Sequence, residues 1–396
     1  MRLAHLSDLH LGYRQYQRLT PGGVNQREAD VAATFRVSID RVIALSPDLV
    51  VIAGDIFHTV RPTNQAILHA FMQLSRLVRS LPDAEVILVG GNHDTPRSTE
   101  SGGILQLFSQ LGAHVVDREA RQLVFPKLQL SVLAVPDVQG VVRPSLAPNS
   151  EARFNIMVLH GEVEGMLPAH MAHADRAALE ISREELGAAR WDYVALGHYH
   201  VYREIAPNAF YSGSIDYTSA NTWGELHEER VAGLSGKGFI EHDVVSGAHT
   251  FHPLPAARAL IDLPPVSARG LSAAEVDERI RSAVDACDGG IDDKILRVLV
   301  RDGARLLSRE LDHKAIREYK RRALNFHLDF RASEPLRLHA SGAPGRRPSL
   351  NEMVREKLLA RSLDADMDRA VLIDRALAYL ERAQVVDVEP SAILDA

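Results

Sequence analysis

Short apolar, β-branched runs recur along the first half of the chain, and each one ends in a polar turn. Residues 3–6 lead into Ser7-Asp8-Leu9-His10. Residues 49–53 lead into Gly54-Asp55-Ile56-Phe57-His58, and 86–89 into Gly90-Gly91-Asn92-His93-Asp94. Further on, 156–159 lead into His160-Gly161-Glu162, and 193–196 into Gly197-His198-Tyr199-His200. Runs of this length that are apolar at both parities predict strands covered on two faces. Residues 32–44 and 63–80 carry apolar positions at helical spacing. Strands alternating with helices predict a layered α/β domain that ends near 252–257.

From Ala259 the pattern restarts. Residues 259–263 predict a strand. Ser272-Ala273-Ala274-Glu275 has the form of a capping box and opens a helix to about Ala286. Residues 295–301 predict a strand, 308–324 a single basic helix, and 326–330 a last strand, which makes a small α+β domain. Residues 341–348 are a linker by composition. A second capping box, Ser349-Leu350-Asn351-Glu352, precedes two amphipathic helices over about 350–361 and 367–383. The expected division is 1–257, 258–340 and 341–396.

Composition narrows the chemistry. The 396 residues suit two domains and a tail. No apolar run reaches the roughly 18 residues of a membrane span, and the N-terminus lacks the features of a signal peptide. The single cysteine, Cys287, excludes an internal disulfide. A cytoplasmic location without membrane contact is the resulting expectation. No Gly-x4-Gly-Lys-Ser/Thr pattern occurs, so the chain is not expected to hydrolyse ATP by itself. The net charge of −7 excludes nucleic-acid binding by bulk charge alone, but not through a metal site and a local basic strip. Histidine is abundant, at 18 residues.

The five turns supply Asp8, His10, Asp55, Asn92, His160, His198 and His200. Ligands of α/β sheets bind at the carboxyl ends of strands, and each of these residues follows one. Carboxylate, amide and imidazole donors without thiolate suit divalent manganese, iron, zinc, cobalt or magnesium and disfavour a structural zinc site. A carboxylate such as Asp55 can bridge two ions. Two ions about 3.5–4 Å apart can serve both oxygens of an in-line displacement at phosphorus and acidify a shared water. His93, beside Asn92, is placed to donate to the leaving oxygen, and His58 to do similar work or contact the phosphate. Taken singly, each piece has an ordinary reading as a surface pair or a polar turn. Five in this order argue for a two-metal phosphoesterase.

The ordered set Asp8-x-His10, Gly54-Asp55, Gly91-Asn92-His93-Asp94, His160 and Gly197-His198-x-His200 resembles the calcineurin-like metallophosphoesterases. It is similar in finer detail to their SbcD-type DNA-repair nucleases. Leu11-Gly12 follows His10. Gly54-Asp55-Ile56-Phe57-His58 is similar to that branch's second motif, where protein phosphatases show Gly-Asp-x-x-Asp-Arg-Gly, and Asp94 stands where those enzymes carry Glu. The resemblance implies a four-layer α/β/β/α core with a smaller α+β capping domain and a C-terminal helical tail. It implies two ions, manganese foremost. Asp8, His10, Asp55 and His200 would hold one, with Asp55 bridging, and Asn92, His160 and His198 would complete the other. It further implies a homodimer joined to an SbcC-like coiled-coil ATPase in a heterotetramer. The implied activity is duplex-end exonuclease and single-strand or hairpin endonuclease action in double-strand-break repair or recombination. One departure is a long segment between Ser214 and Lys237, with Trp223 and charges from Glu225 to Arg230, which would alter substrate access or dimer contacts.

Weaker signals surround these. Arg14, Arg61 and Arg97, and with them Arg18 and Arg27, are candidates for contacts with DNA phosphates, against an ordinary reading as solvated surface arginines. The basic run 314–322 suits a DNA backbone or a solvated helix face. Tyr13, Tyr16, Tyr199 and Tyr202 could stack on bases or pack in the core. The tail helices could dock on the ATPase partner. Two rival functions stay open. One is a phosphodiesterase of the same fold acting on cyclic nucleotides or other small phosphodiesters, and the other is a non-catalytic scaffold that binds DNA ends for an ATPase.

Overall fold

A computed structural model of the chain describes residues 1–95, 103–140, 144–165, 177–304, 306–332, 350–360 and 369–386. It divides into two compact units, Met1–Ser333 and Glu334–Ala396.

The first unit begins with β1 (Arg2–Leu6), α1 (Gln26–Leu45), β2 (Leu49–Ala53), α2 (Asn64–Ser80), β3 (Glu85–Val89), β4 (His114–Val116), β5 (Arg121–Phe125) and β6 (Leu130–Val135). It continues with β7 (Phe154–His160), β8 (Glu162–Val163), β9 (Glu180–Ile181), α3 (Arg183–Leu186), β10 (Tyr193–Gly197), β11 (Arg203–Ala206), β12 (Ala209–Tyr211), α4 (Thr222–Val231), β13 (Gly238–Asp243) and β14 (His249–Pro253). A smaller group follows: β15 (Leu260–Asp262), β16 (Val266–Ser267), α5 (Ala273–Asp285), β17 (Ile295–Gly303), α6 (Leu307–Glu310), α7 (His313–Arg322) and β18 (Asn325–Ala332). The second unit holds α8 (Leu350–Ala360) and α9 (Arg369–Val386), with Arg369 bonded to the carbonyls of Leu358 and Leu359.

Two six-stranded sheets form the body, ordered β14-β13-β1-β2-β3-β4 and β11-β12-β10-β7-β6-β5. In each, four consecutive strands are parallel and the flanking pairs are antiparallel. The double-sided apolar runs explain the layering. In β2, Val50 and Ile52 face one core with Val31, Phe35 and Ile39 of α1 and Ala70 and Leu74 of α2. Leu49, Val51 and Ala53 face the other, between the sheets, with Ile156, Val158, Tyr193 and Ala195. The outer face of the second sheet is covered, among the described residues, by Leu186 of the short α3, Trp191 and neighbouring turns. Thr63, expected inside the helix, instead caps α2 by accepting from the amide of Ala66.

The smaller group builds its own sheet, with β15, β16 and β18 all pairing parallel to β17, and its own core around Val298, Val300 and Phe326. The expected capping box at Ser272–Glu275 is formed. The expected single basic helix is broken into α6 and α7. Leu311 is extended, and the Asp312 side chain accepts from the amides of Lys314 and Ala315, which starts a new helix. An aspartate four residues into a helical pattern is a stop-and-restart signal that charge periodicity hides. Residues 1–333 cohere as one unit although the smaller sheet has its own core, because arginines bridge the two parts: Arg258 pairs with Asp30 at 2.7 Å, and Arg18 donates to the carbonyls of Arg321 and Ala323 at 3.0 Å. The long segment after Ser214 folds as α4. Linker residues 341–348 lie outside the described residues, as do Ser349 and Met367. No helix among the described residues is long and apolar enough to cross a membrane.

Candidate metal centre

The parallel strands of both sheets end on one rim, and short backbone bonds tie their turns together. The Asp8 amide donates to Gly54 at 3.0 Å and the His10 amide to Asp55 at 2.9 Å, while the His198 amide donates to both Asp8 carboxylate oxygens at 3.1 Å. The turns are tightly wound. Asp8, His10 and Asp55 sit at φ of 51°, 46° and 52°, and His198 at 105°. For residues with a Cβ these conformations cost ~1–2 kcal/mol each and persist where the surroundings impose them, as functional sites often do. Glycine is required beside them for a different reason. A Cβ on Gly54 would overlap the His160 ring, and one on Gly91 would overlap the Asp55 carboxylate.

These constraints bring the predicted residues together. Ligand atoms of Asp8, His10 and His200 lie within 4.8 Å of one another, as do those of Asp8, Asp55 and His160. His160 Nε2 is 3.1 Å from Asn92 Oδ1 and 3.5 Å from Asp55 Oδ2. The His198 ring lies edge-on to His160 at 5.4 Å. His10, His58 and His93 form a third such group.

Two histidines have their tautomers set from outside. His160 Nδ1–H donates to the Ala53 carbonyl at 2.8 Å, and His200 Nδ1–H donates to Glu225 at 3.1 Å. In the neutral ring the Nε2 lone pair then faces the carboxylates, which is the arrangement of a metal ligand with its outer partner. Buried lone pairs and anions aimed at one another repel unless a cation lies among them, so the donor set fits divalent ions.

The carboxylates draw positive charge onto one of these rings. Burial alone would depress His160, but Asp55 and Asp8 carry it to about 9. Burial holds His198 near 3, helped by the charge of His160, so its ring is neutral at pH 7. Burial, then the neighbouring His200, pushes His10 well below its ordinary value. Asp55 is lowered against its burial, chiefly by His160, whereas burial raises Asp8.

Asp94 is a functional residue whose role the sequence left unstated. It accepts from the amides of Ile56, Phe57 and Gly91 at 3.0, 2.8 and 3.1 Å and so fastens the Asp55 turn to the Asn92 turn. Burial and the nearby Asp55 raise its carboxyl to about 7. In sequence Glu225 is one charge of a cluster, whereas in the fold it touches His200.

The N-terminal half decides the family. The model of calcineurin-like phosphoesterases matches residues 1–202. The chain belongs to this family.

Curated relatives of this phosphoesterase include DNA double-strand break repair proteins Mre11 from three archaea. That of Methanococcus maripaludis is 25% identical over 62% of this chain and 63% of its own length. That of Methanosarcina acetivorans is 26% identical over 82% and 56%, and that of Methanosarcina mazei is 30% identical over 60% and 37%. The phosphoesterase thus spans roughly half to three-fifths of the length of the first curated relatives it matches.

The remaining candidates divide. His93 Nδ1–H donates to the His58 carbonyl at 2.7 Å, and its amide donates to Asp55 at 2.9 Å. His58 Nδ1 is 3.3 Å from His10 Nδ1, and its ring stacks on His93. Arg61 is exposed, and Arg14 is exposed while bonded to Glu28 at 2.8 Å. Arg97 lies outside the described residues. Arg27 is not a phosphate contact: it is buried and bonded to Asp30, Asp216 and the Tyr217 carbonyl. Arg18 braces the smaller sheet. Tyr13 and Tyr199 are core residues, buried and unable to stack on bases.

Proposed function

We propose that this phosphoesterase is a two-metal DNA nuclease subunit that cuts phosphodiester bonds at duplex ends and in single strands or hairpins during double-strand-break repair or recombination. One observation carries the reading. Asp8, His10, Asp55, His160 and His200 from both sheets meet on one rim, with His160 and His200 turned by their Nδ1 partners to present Nε2 to the carboxylates.

Asp8, His10, Asp55 and His200 would hold one ion, with Asp55 shared, and Asn92, His160 and His198 the other. Manganese is the leading candidate for oxygen and imidazole donors. When bound, the ions supply Lewis-acid chemistry: they offset the charge of the phosphate and acidify a water. The chain's own groups do the rest. Asp8 and Asp55 alone would repel a phosphate, so the substrate is held only by the loaded site. The His58 carbonyl fixes the His93 ring through Nδ1–H, which leaves Nε2 to hold a proton for the leaving oxygen. Asp94 keeps the two turns in register.

DNA as the substrate is supported by the relatives' names and by the exposed Lys314, Arg317, Lys320 and Arg321 of α7, a basic helix face on the smaller sheet. That sheet would act as the DNA-positioning part from residue 258 onward. An SbcC-like coiled-coil ATPase, bound through the tail from residue 341, a homodimer and a cytoplasmic location complete the proposal.

The test is cleavage of end-labelled linear duplex by the purified chain with manganese, beside His93→Ala. The wild type should degrade the duplex, and the variant should lose ~100-fold or more of that rate while keeping its metal. Loss of metal together with activity would contradict the role of His93. Hydrolysis of a small phosphodiester without any cutting of DNA would overturn the DNA assignment.

A further inference from the structure

Helix α4 buries the wrong face for an ordinary amphipathic helix. Thr222, Glu225 and Glu229 point inward at helical spacing, whereas Val231 is 75% exposed. Burying two carboxylates adds little stability even when they are paired, so what they touch matters more than what they bury. Glu225 accepts from His200 Nδ1 at 3.1 Å and from Lys237 Nζ at 2.5 Å. Lys237 also donates to the His200 carbonyl at 2.7 Å and pairs with Glu229 at 3.0 Å. Tyr217 donates to Glu229, and Tyr199, next to His200, donates to Glu228. Both the ring and the backbone of His200 are therefore held by this one helix and its lysine.

The other side of α4 is held by the smaller sheet. The Arg297 guanidinium of β17 lies over the Trp223 ring at 4.8 Å. Arg297 also grips Asp262 of β15 through two bonds of 3.0 and 2.7 Å, and Arg230 reaches the same carboxylate at 3.9 Å.

We propose that α4 is a positioning helix: Glu225 sets the orientation and tautomer of His200, and the Trp223–Arg297 and Arg230–Asp262 contacts make that setting depend on the smaller sheet. This rests on the two-metal reading. A carboxylate on the outer nitrogen of a ligand histidine fixes the ring and raises its basicity, and its loss costs ~10–100-fold in metal affinity. Through α4, a displacement of the smaller sheet against the body reaches a ligand it does not touch. The segment between Ser214 and Lys237 is thereby part of the site's support.

The experiment is calorimetric titration of the metal-free full chain with manganese, with duplex cleavage followed against manganese concentration. The variants are Glu225→Gln, which keeps size and hydrogen bonding, Glu229→Gln, which alters the same buried cluster without touching His200, and Trp223→Ala. The wild type should bind two ions. Glu225→Gln should weaken one of them ~10–100-fold, spare the other, and recover near-normal turnover at saturating manganese. Glu229→Gln should leave both within a few-fold. Trp223→Ala should weaken the same ion as Glu225→Gln, by ~2–30-fold. Equal losses in Glu225→Gln and Glu229→Gln, or wild-type affinity in Glu225→Gln, overturn the positioning role while the two-metal reading stands. Wild-type affinity in Trp223→Ala overturns the tie to the smaller sheet. A wild type that binds no divalent ion overturns the two-metal reading itself.

Discussion

The rim of the two large sheets and the core of the smaller sheet are built from similar strands but organised on opposite principles. Around β17 the interior is apolar: Val298, Val300, Phe326, Val276 and Ile280 fill it, and charge stays outside, as in Glu278–Arg281 and Arg321–Glu318. At the rim, carboxylates and imidazoles occupy the interior, held by backbone amides and left-handed turns. The first arrangement lowers free energy by removing apolar surface from water. The second raises it, through desolvated charge and strained backbone, and makes sense only as a site prepared for cations. Stability and chemistry are thus separated in space, and substitutions should separate them too.

The largest effect is expected at the rim. Gly91→Ala places a methyl group on the Asp55 carboxylate and its amide. Manganese binding should vanish in calorimetry and duplex cleavage should fall ~100-fold or more, since an ångström of displacement in a catalytic constellation costs that much. Normal binding would show that the turn has room to yield, and the separation drawn above would fail.

Next comes the smaller core. Phe326→Ala should lower unfolding free energy by ~3–5 kcal/mol, read from denaturant melts, while two manganese ions still bind. Loss of metal binding in the folded variant would mean that the two regions are not separable in this way, even with α4 as their link.

The smallest effect concerns a histidine that belongs to neither scheme. His242 on β13 is buried, stacked on Tyr193 at 4.3 Å, and neither ring nitrogen has a partner among the described residues. Burial, then His249, depresses it to about 4. The unfolded chain takes up a proton below about 6.5, which the folded chain refuses. This contribution to stability is present above 6.5 and is lost as pH falls toward 4, at up to roughly 1.4 kcal/mol per pH unit. His242→Phe should be neutral or slightly stabilising at pH 7 and should flatten the decline of Tm between pH 6.5 and 4. The slope should not vanish, because burial also holds His5 near 3. An unchanged slope would remove His242 from the account.

Much of the site is legible in the sequence, because its signals are local. An apolar run with both parities filled, followed by Asp-x-His, Gly-Asp or Gly-Asn-His, states a strand and its loaded turn within about ten residues. Capping at Ser272 is equally local, since a side chain reaches its own helix's amides. The broken basic helix was missed because the cap at Asp312 competes with a continuous charge pattern.

What local pattern cannot carry is the partner of a buried polar group. Arg27 looked like a surface cation until Asp216, 189 residues away, was found against it. Nothing near Glu225 in sequence names His200, and nothing near His160 names the Ala53 carbonyl. Strand identity follows from short-range hydrophobic periodicity, which any segment carries within itself. Whether a buried charge is tolerable depends on which distant group neutralises it, and that pairing exists only once the sheets and α4 have closed around it.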